Sequence, residues 1–346
     1  MKYFVGLDVS LQETFICIID HDGKIIKESV VLSEVEAISD YLIKQDLNFD
    51  KIGIESGQLS IHLCKGLKKQ GLNAICVDAR AMASALSARI NKNDKNDAFG
   101  IANMMRVNLY KEVLVKSDES CQIKILLGSR RQLVETRTKI VGTIRGLLKI
   151  KGIKINSRYS NSKFSVKVEE SLILQAQEYD DEFEAIKFSI KILITTLNQI
   201  EISLNDINKE AIRQSKNDRD CQLLMTIPGV GAITALTYKS SLDDVKRFKK
   251  SSMVGAYVGL TPRQYASGEI NRHGSISKMG SKECRSMLYE AAQSMLVTSK
   301  KKCRLKSWGL KLQKKKGSKK AIVAMARKLS VIMHRMLITK EEFCYQ

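Results

Sequence analysis

The chain has 346 residues and carries 58 lysines and arginines against 37 acids, a formal charge of +21. The charge is uneven: residues 1–110 hold 13 basic and 14 acidic side chains, and the remainder holds 45 and 23. A neutral first third followed by a basic remainder points to a polyanionic partner, most simply nucleic acid, and away from a membrane, since no apolar run approaches the roughly 18–20 residues of a span. Eight scattered cysteines with no CxxC pair suit a reducing compartment and argue against a zinc site. Asp8 stands where a secretion signal needs its apolar stretch. The expectation is a cytoplasmic, nucleoid-associated protein.

Residues 3–9 and 14–20 (YFVGLDV, TFICIID) are short β-rich runs, and a turn at HDGK (21–24) leads to a third around KIIKESVVL. An amphipathic helix near 33–45, a strand at 51–56, a helix near 58–70 and a strand at 73–79 follow. Antiparallel strands, then alternating helix and strand, predict an α/β domain with a mixed sheet over residues 1–116. Within it, NKNDKNDAFG (91–100) sets Asp94 and Asp97 three residues apart at the start of an apolar helix pattern. The plainest role for the pair is capping, with Asp94 as N-cap and Asp97 at the third helical position.

From about 120 the pattern changes. Leu126/Leu127, Leu133/Val134, Ile140/Val141 and Leu147/Leu148 recur every seven residues, and Ile186, Ile190, Leu193, Leu197, Ile200, Leu204 and Ile207 alternate spacings of four and three. These predict a coiled-coil region over 117–215, either a hairpin of long helices or an intermolecular bundle, with KINSRYSNSK (154–163) as a linker. A mainly α-helical domain is expected over 216–305. It opens with LLMTIPGVGAITAL (223–236), a helix-hairpin-helix-like turn whose Gly229 and Gly231 let backbone N–H groups approach phosphate. Residues 306–346 form a basic helical tail, and 301–330 contain twelve lysines and arginines and no acid.

The residues that carry chemistry fall in two groups. Asp8 ends the first strand in GLDVS and Glu55 ends the fourth in GIESG, so with Asp94 and Asp97 there are four acids in one small domain. Four gathered carboxylates need cations to neutralise them, and hard oxygen ligands select Mg²⁺ or Mn²⁺. Two such ions about 4 Å apart serve phosphodiester chemistry. A strand-end acid is also a common turn former, but the ordered set of strand Asp, strand Glu and helical DxxD describes an RNase-H-like nuclease core. The second group lies in GLTPRQYASGEINRHGSISKMGSKECRSML, where Ser267 is accompanied by Arg263, Arg272, His273 and Lys278. One reading is a flexible basic loop on the phosphate backbone, with Ser267 a turn residue. The other makes Ser267 a nucleophile toward phosphorus, its developing charge met by the cations.

Six segments in order, GLDVS, GIESG, KNDKNDA, IPGVG, GLTPRQYASG and GSISKMGSKECRSML, resemble the DEDD-type insertion-sequence transposases of family one-ten, relatives of the Piv DNA invertase. The resemblance implies a RuvC-like domain in which Asp8, Glu55, Asp94 and Asp97 hold Mg²⁺. It implies a transposase domain in which Ser267 forms a covalent phosphoserine link. It also implies excision and insertion of an element through donor and target DNA. A bridge RNA would pair with both DNAs, leaving the protein to grip shape and backbone. Dimers to tetramers would assemble through the coiled coil, with a site composed of one subunit's acids and another's serine. Ala79 stands where family members often have a proline after the strand. Two alternatives remain on the residues alone: a hydrolytic RuvC-like nuclease or resolvase, which needs the acids but not Ser267, and a nucleic-acid-binding protein without catalysis.

Overall fold

The apolar runs at the amino end form β1 (Tyr3–Val9), β2 (Glu13–Ile19) and β3 (Ile25–Leu32). They are followed by α1 (Val35–Ile43), β4 (Phe49–Glu55), α2 (Ser60–Lys69), β5 (Ala74–Val77), α3 (Ala79–Leu86) and α4 (Asp94–Arg106). The computed structural model describes residues 1–86, 93–155, 161–175, 184–267 and 270–345. The chain divides into two units, Met1–Ser117 and Asp118–Gln346.

In the first unit the five strands form one mixed sheet in the order β3-β2-β1-β4-β5. β1 pairs antiparallel with β2 and parallel with β4, and β4 is parallel to β5. Alternation along the strands builds two cores. Val5, Leu7, Ile52 and Ile54 face Leu42 of α1 and Leu63 and Leu67 of α2. Phe4, Cys17, Ile19 and Val77 face Ala98, Ile101, Ala102 and Met105 of α4.

On that second face two glycines decide how closely the helix packs. Gly6 of β1 and Gly53 of β4 are register partners. A Cβ on Gly6 would stand 1.9 Å from the carbonyl oxygen of Ala98 and 2.6 Å from the amide of Ala102. One on Gly53 would stand 2.6 Å from Ile101 Cγ2. The helix backbone therefore lies against bare sheet. At its far end Arg106 donates to the His21 carbonyl in the β2–β3 turn, so α4 runs antiparallel to β1.

The second unit begins with α5 (Asp118–Ile150), α6 (Asn161–Gln175) and α7 (Glu184–Asn217). The heptad runs pair with each other within the chain. Ile144 and Leu148 pack with Ile190, Ile194 and Leu197, while Arg130 Nε donates to Asn208 Oδ1 at 2.7 Å, which makes α5 and α7 antiparallel. The expected linker at 154–163 lies partly outside the described residues. The helix that follows it, α6, adds Phe164, Val168 and Leu172 to the same cluster.

The rest comprises α8 (Arg219–Met225), α9 (Ala232–Leu242), α10 (Ser252–Tyr257), β6 (Pro262–Ser267), β7 (Ile270–Ile276), α11 (Lys282–Gln293), a π-helical turn (Ser294–Thr298), α12 (Arg304–Lys316) and α13 (Ser318–Thr339). Two features depart from the expected helical domain and tail. The serine-bearing stretch is a β-hairpin, not a flexible loop. The basic carboxyl segment is structural on one side: Ile322, Met325, Leu329 and Met333 of α13 enter the core that also holds Leu224, Leu236 and Leu288. Its cations line the opposite face of an amphipathic helix, which a count of charge alone does not reveal.

Gly6→Ala should lower the stability of the chain to urea by about 1–3 kcal/mol, because the added carbon meets backbone atoms that have no side chain to move. Gly142→Ala in α5 should have the opposite sign, a gain of about 0.5–1 kcal/mol, since nothing lies within 4 Å of the new methyl.

Candidate active site

Asp8 follows Gly6 by two residues and Glu55 follows Gly53 by two, so strand alternation puts both acids on the face that carries α4. Both are half-buried, and both line a cavity of about 320 Å³ walled by residues 8–11 and 55–60. The walls are pinned. Ser60 Oγ donates to the Gly57 carbonyl and accepts from its amide, Ser56 Oγ accepts from the amide of Ala79, and Ser33 Oγ donates to the Ser10 carbonyl.

α4 enters this face amino end first relative to the strand ends. Its cap is Asn93, whose side chain accepts from the amide of Asn96 at 2.7 Å. This corrects the expectation that Asp94 is the N-cap: Asp94 is instead the first helical residue and Asp97 the fourth. Capping therefore does not account for either acid. Asp97 is half-buried and Asp94 exposed, and neither lines the cavity that holds Asp8 and Glu55. Lys95, between them, points to β3 and meets Glu28 at 2.6 Å. The hydrogen bond to Glu28 raises the Lys95 ammonium above its ordinary range and directs that charge away from the neighbouring aspartates.

No three of the four acids have oxygens all within 4.8 Å of one another. Among the described residues that description fits Asp20, His21 and Asp22 in the β2–β3 turn. Asp20 there accepts from the amides of Lys24 and Asp22, both at 2.9 Å, and the Lys24 amide holds its carboxyl below the usual carboxylate range. This is a closed turn at the opposite end of the sheet from Asp8 and Glu55.

In the second unit, α8 and α9 are joined by the Pro-Gly-Val-Gly turn. Asp218 caps α8 through the amide of Cys221 at 2.9 Å and also takes Lys239 of α9. Burial works to raise the Asp218 carboxyl, yet Lys239 and the backbone donors leave it below its ordinary range. The two glycines differ in role. Gly229 has φ +88°, and a Cβ there would meet the Ala291 carbonyl at 2.5 Å, so it serves packing against α11. Gly231 precedes α9 with open space around it and leaves the helix amino end accessible.

Ser267 ends β6 and is exposed, paired with Ile270 across the hairpin. Residues 268–269 and the His273 side chain lie outside the described residues. Tyr265 and Ser267 share a face by alternation, and Arg272 pairs directly opposite Tyr265. Arg263 joins them at the hairpin base, where its Cβ and the Tyr265 ring both flank Gly274. Lys278 is exposed, with φ +57°, and its amide donates to the Gly259 carbonyl at 3.1 Å.

The anchor of the hairpin is a residue that motif reading passed over. Arg285 donates to the carbonyls of Met279 (2.6 Å), Val258 and Gly280 (3.2 Å each). These bonds lock two turns in which Gly259 and Gly280, at φ +72° and +71°, approach opposing backbone too closely for any side chain. Burial lowers the Arg285 guanidinium from its ordinary value. The available signal was the arginine that closes GSKECR, the fourth residue of α11.

Residues 221–307 match the profile of the transposase IS116/IS110/IS902 family, and residues 5–152 match that of a DEDD-type transposase. The chain is 33% identical over 254 residues to the transposase for insertion sequence element IS1111A of Coxiella burnetii, covering 73% of this chain and 68% of that protein. It is 26% identical over 257 residues to a probable family 20 transposase of Pseudomonas aeruginosa, covering 74% of each. It is 26% identical over 270 residues to the pilin gene-inverting protein of Moraxella bovis, covering 76% of this chain and 71% of that protein.

Arg285→Met should cost about 1–3 kcal/mol in thermal or urea unfolding, since it leaves the carbonyls of Val258, Met279 and Gly280 without their charged donor. Amide exchange at Lys278 should accelerate more than exchange within α9, the signature of a loosened hairpin base.

Proposed function

The chain belongs to the IS116/IS110/IS902 transposase family and is a DNA transposase or recombinase, and we propose that its two units supply two parts of one strand-exchange chemistry. The first unit is read as an RNase-H/RuvC-like domain, a reading supported by the sheet order β3-β2-β1-β4-β5 with its two antiparallel and two parallel pairings. Asp8, Glu55, Asp94 and Asp97 would hold a hard divalent cation, Mg²⁺ or Mn²⁺. The donor set fits: all are carboxylates, Asp8 and Glu55 share a cavity, and α4 packs on the same face with its first turn directed to the strand ends. When bound, such ions activate an attacking oxygen and stabilise a leaving one. The carrying observation is the glycine-lined seat of α4, which accounts for two acids left unexplained by capping.

The second unit supplies the nucleophile. Ser267 Oγ, its proton passing to solvent, bonds to a backbone phosphorus as the P–O bond of the cut strand breaks and the departing strand end leaves as a hydroxyl. A strand-end hydroxyl attacking the phosphoserine later reverses the step and frees the serine. Arg263 and Arg272, on the same hairpin, meet the charge that develops on the phosphate. The α8–α9 turn acts as a helix-hairpin-helix-like phosphate grip through the open amino end at Gly231, with Lys278 as a further backbone contact. A bridge RNA pairs with donor and target DNA. Dimers or tetramers assemble through the long helices, supported by Phe188, Ile192 and Ile202 of α7, which stand 66%, 51% and 55% exposed.

Ser267→Ala should abolish strand exchange and the covalent protein–DNA adduct while leaving DNA binding intact, as read by denaturing gels of trapped reactions. An adduct that persists in this variant overturns the serine assignment. Asp97→Asn should slow cleavage about a thousandfold, and chelation of divalent ions should stop it until Mg²⁺ is restored. Cleavage that survives Ser267→Ala without exchange would favour the hydrolytic reading.

A further inference from the structure

Between the base of the Ser267 hairpin and α13 lies a groove of about 1,010 Å³. Its floor is apolar, formed by Ile276 of β7, Val323 and Val331 of α13 and Trp308 of α12, the chain's single tryptophan. Its rim is cationic, with Lys319, Lys320, Arg327 and Lys328 all exposed, and no acid lines it among the described residues. Lys328 Nζ sits 3.8 Å from the centre of the Trp308 ring.

These two properties together select an occupant. Duplex DNA presents phosphates outward with its bases stacked inside, so gripping it needs cations but no apolar floor. An acidic protein segment would match the rim, yet a strongly anionic chain gives the floor little to bury. An unpaired strand presents a phosphate every nucleotide and a bare base face beside it, which matches cations above an apolar, tryptophan-bearing floor. We propose that this groove holds unpaired bases of a DNA strand displaced during exchange, next to the hairpin that carries Ser267. The assignment rests on the recombinase reading, because a strand must leave its duplex for exchange to occur. A groove at the upper end of the ~300–1,000 Å³ range of ligand sites has room for more than one base.

The test uses the full chain and binding alone, so a failure here is distinct from a failure of the Ser267 chemistry. Single-stranded oligothymidylate is titrated while the fluorescence of Trp308 is followed, with a duplex of the same length as comparison. Saturable quenching by the single strand, and little by the duplex, is expected. Lys319→Glu combined with Lys320→Glu, both on the exposed rim, should weaken single-strand binding about tenfold or more and reduce its log–log salt slope by about 1.4. Duplex affinity should move less than about threefold. Val323→Asp should abolish the quenching, and the double lysine variant keeps the test valid if that protein fails to fold. Four outcomes overturn the proposal: Trp308 fluorescence unmoved by the single strand, equal losses for duplex and single strand, tighter competition by oligouridylate or an acidic peptide than by the DNA, or a change in sedimentation mass that makes the groove a contact between copies.

Discussion

The seat of α4 on bare sheet, its backbone against Gly6 and its Ile101 and Met105 side chains against Gly53, organises the first unit. Side chains on paired strands ordinarily hold a helix about 10 Å away, and here two neighbouring positions have none. The consequence is directional. α4 lies antiparallel to β1, so its amino end is carried to the carboxyl ends of β1 and β4, where Asp8 and Glu55 follow the glycines by two residues each. A helix amino end is also where negative charge is best tolerated, so Asp94 and Asp97 are placed at little cost. Asn93 does the capping and Glu28 occupies Lys95.

The second unit solves a different problem, holding an exposed serine hairpin on a helical body that carries a large excess of positive charge. The interlock of Gly259 and Gly280, closed by Arg285 on three carbonyls, fixes the hairpin at its base. Like charges along α12 and α13 repel one another. They are tolerated because α13 buries an apolar face, α12 adds Leu305 and Trp308 to the same core, and Lys328 rests on the Trp308 ring. Such a surface loses affinity for DNA steeply with salt, and the unit keeps its fold through an apolar core that salt does not weaken.

Much of this was readable in the chain itself. The three-strand meander, the two long helices and the Pro-Gly-Val-Gly turn follow from period-2 and heptad patterns and from turn chemistry, which are local. What escaped was tertiary. That Asn93, not Asp94, caps α4 depends on where the helix is seated. GLD at 6–8 and GIE at 53–55 both read as acid signals, yet the glycine two positions earlier is what brings the helix down, a role visible only when the strands are neighbours. The strands at 262–267 and 270–276 lack an alternating apolar face in the sequence, so nothing local announced a hairpin. The close approach of Gly229 to the Ala291 carbonyl is likewise tertiary, set by how α11 packs on the turn.

Everything about the first unit's chemistry hangs on whether its four scattered carboxylates converge on one cation. Crystals of the protein soaked in Mn²⁺ would settle this through anomalous scattering. Manganese density bounded by Asp8 and Glu55 and by at least one of Asp94 and Asp97 is expected. Density confined to the Asp20–His21–Asp22 turn, with none beside Asp8 and Glu55, would contradict it.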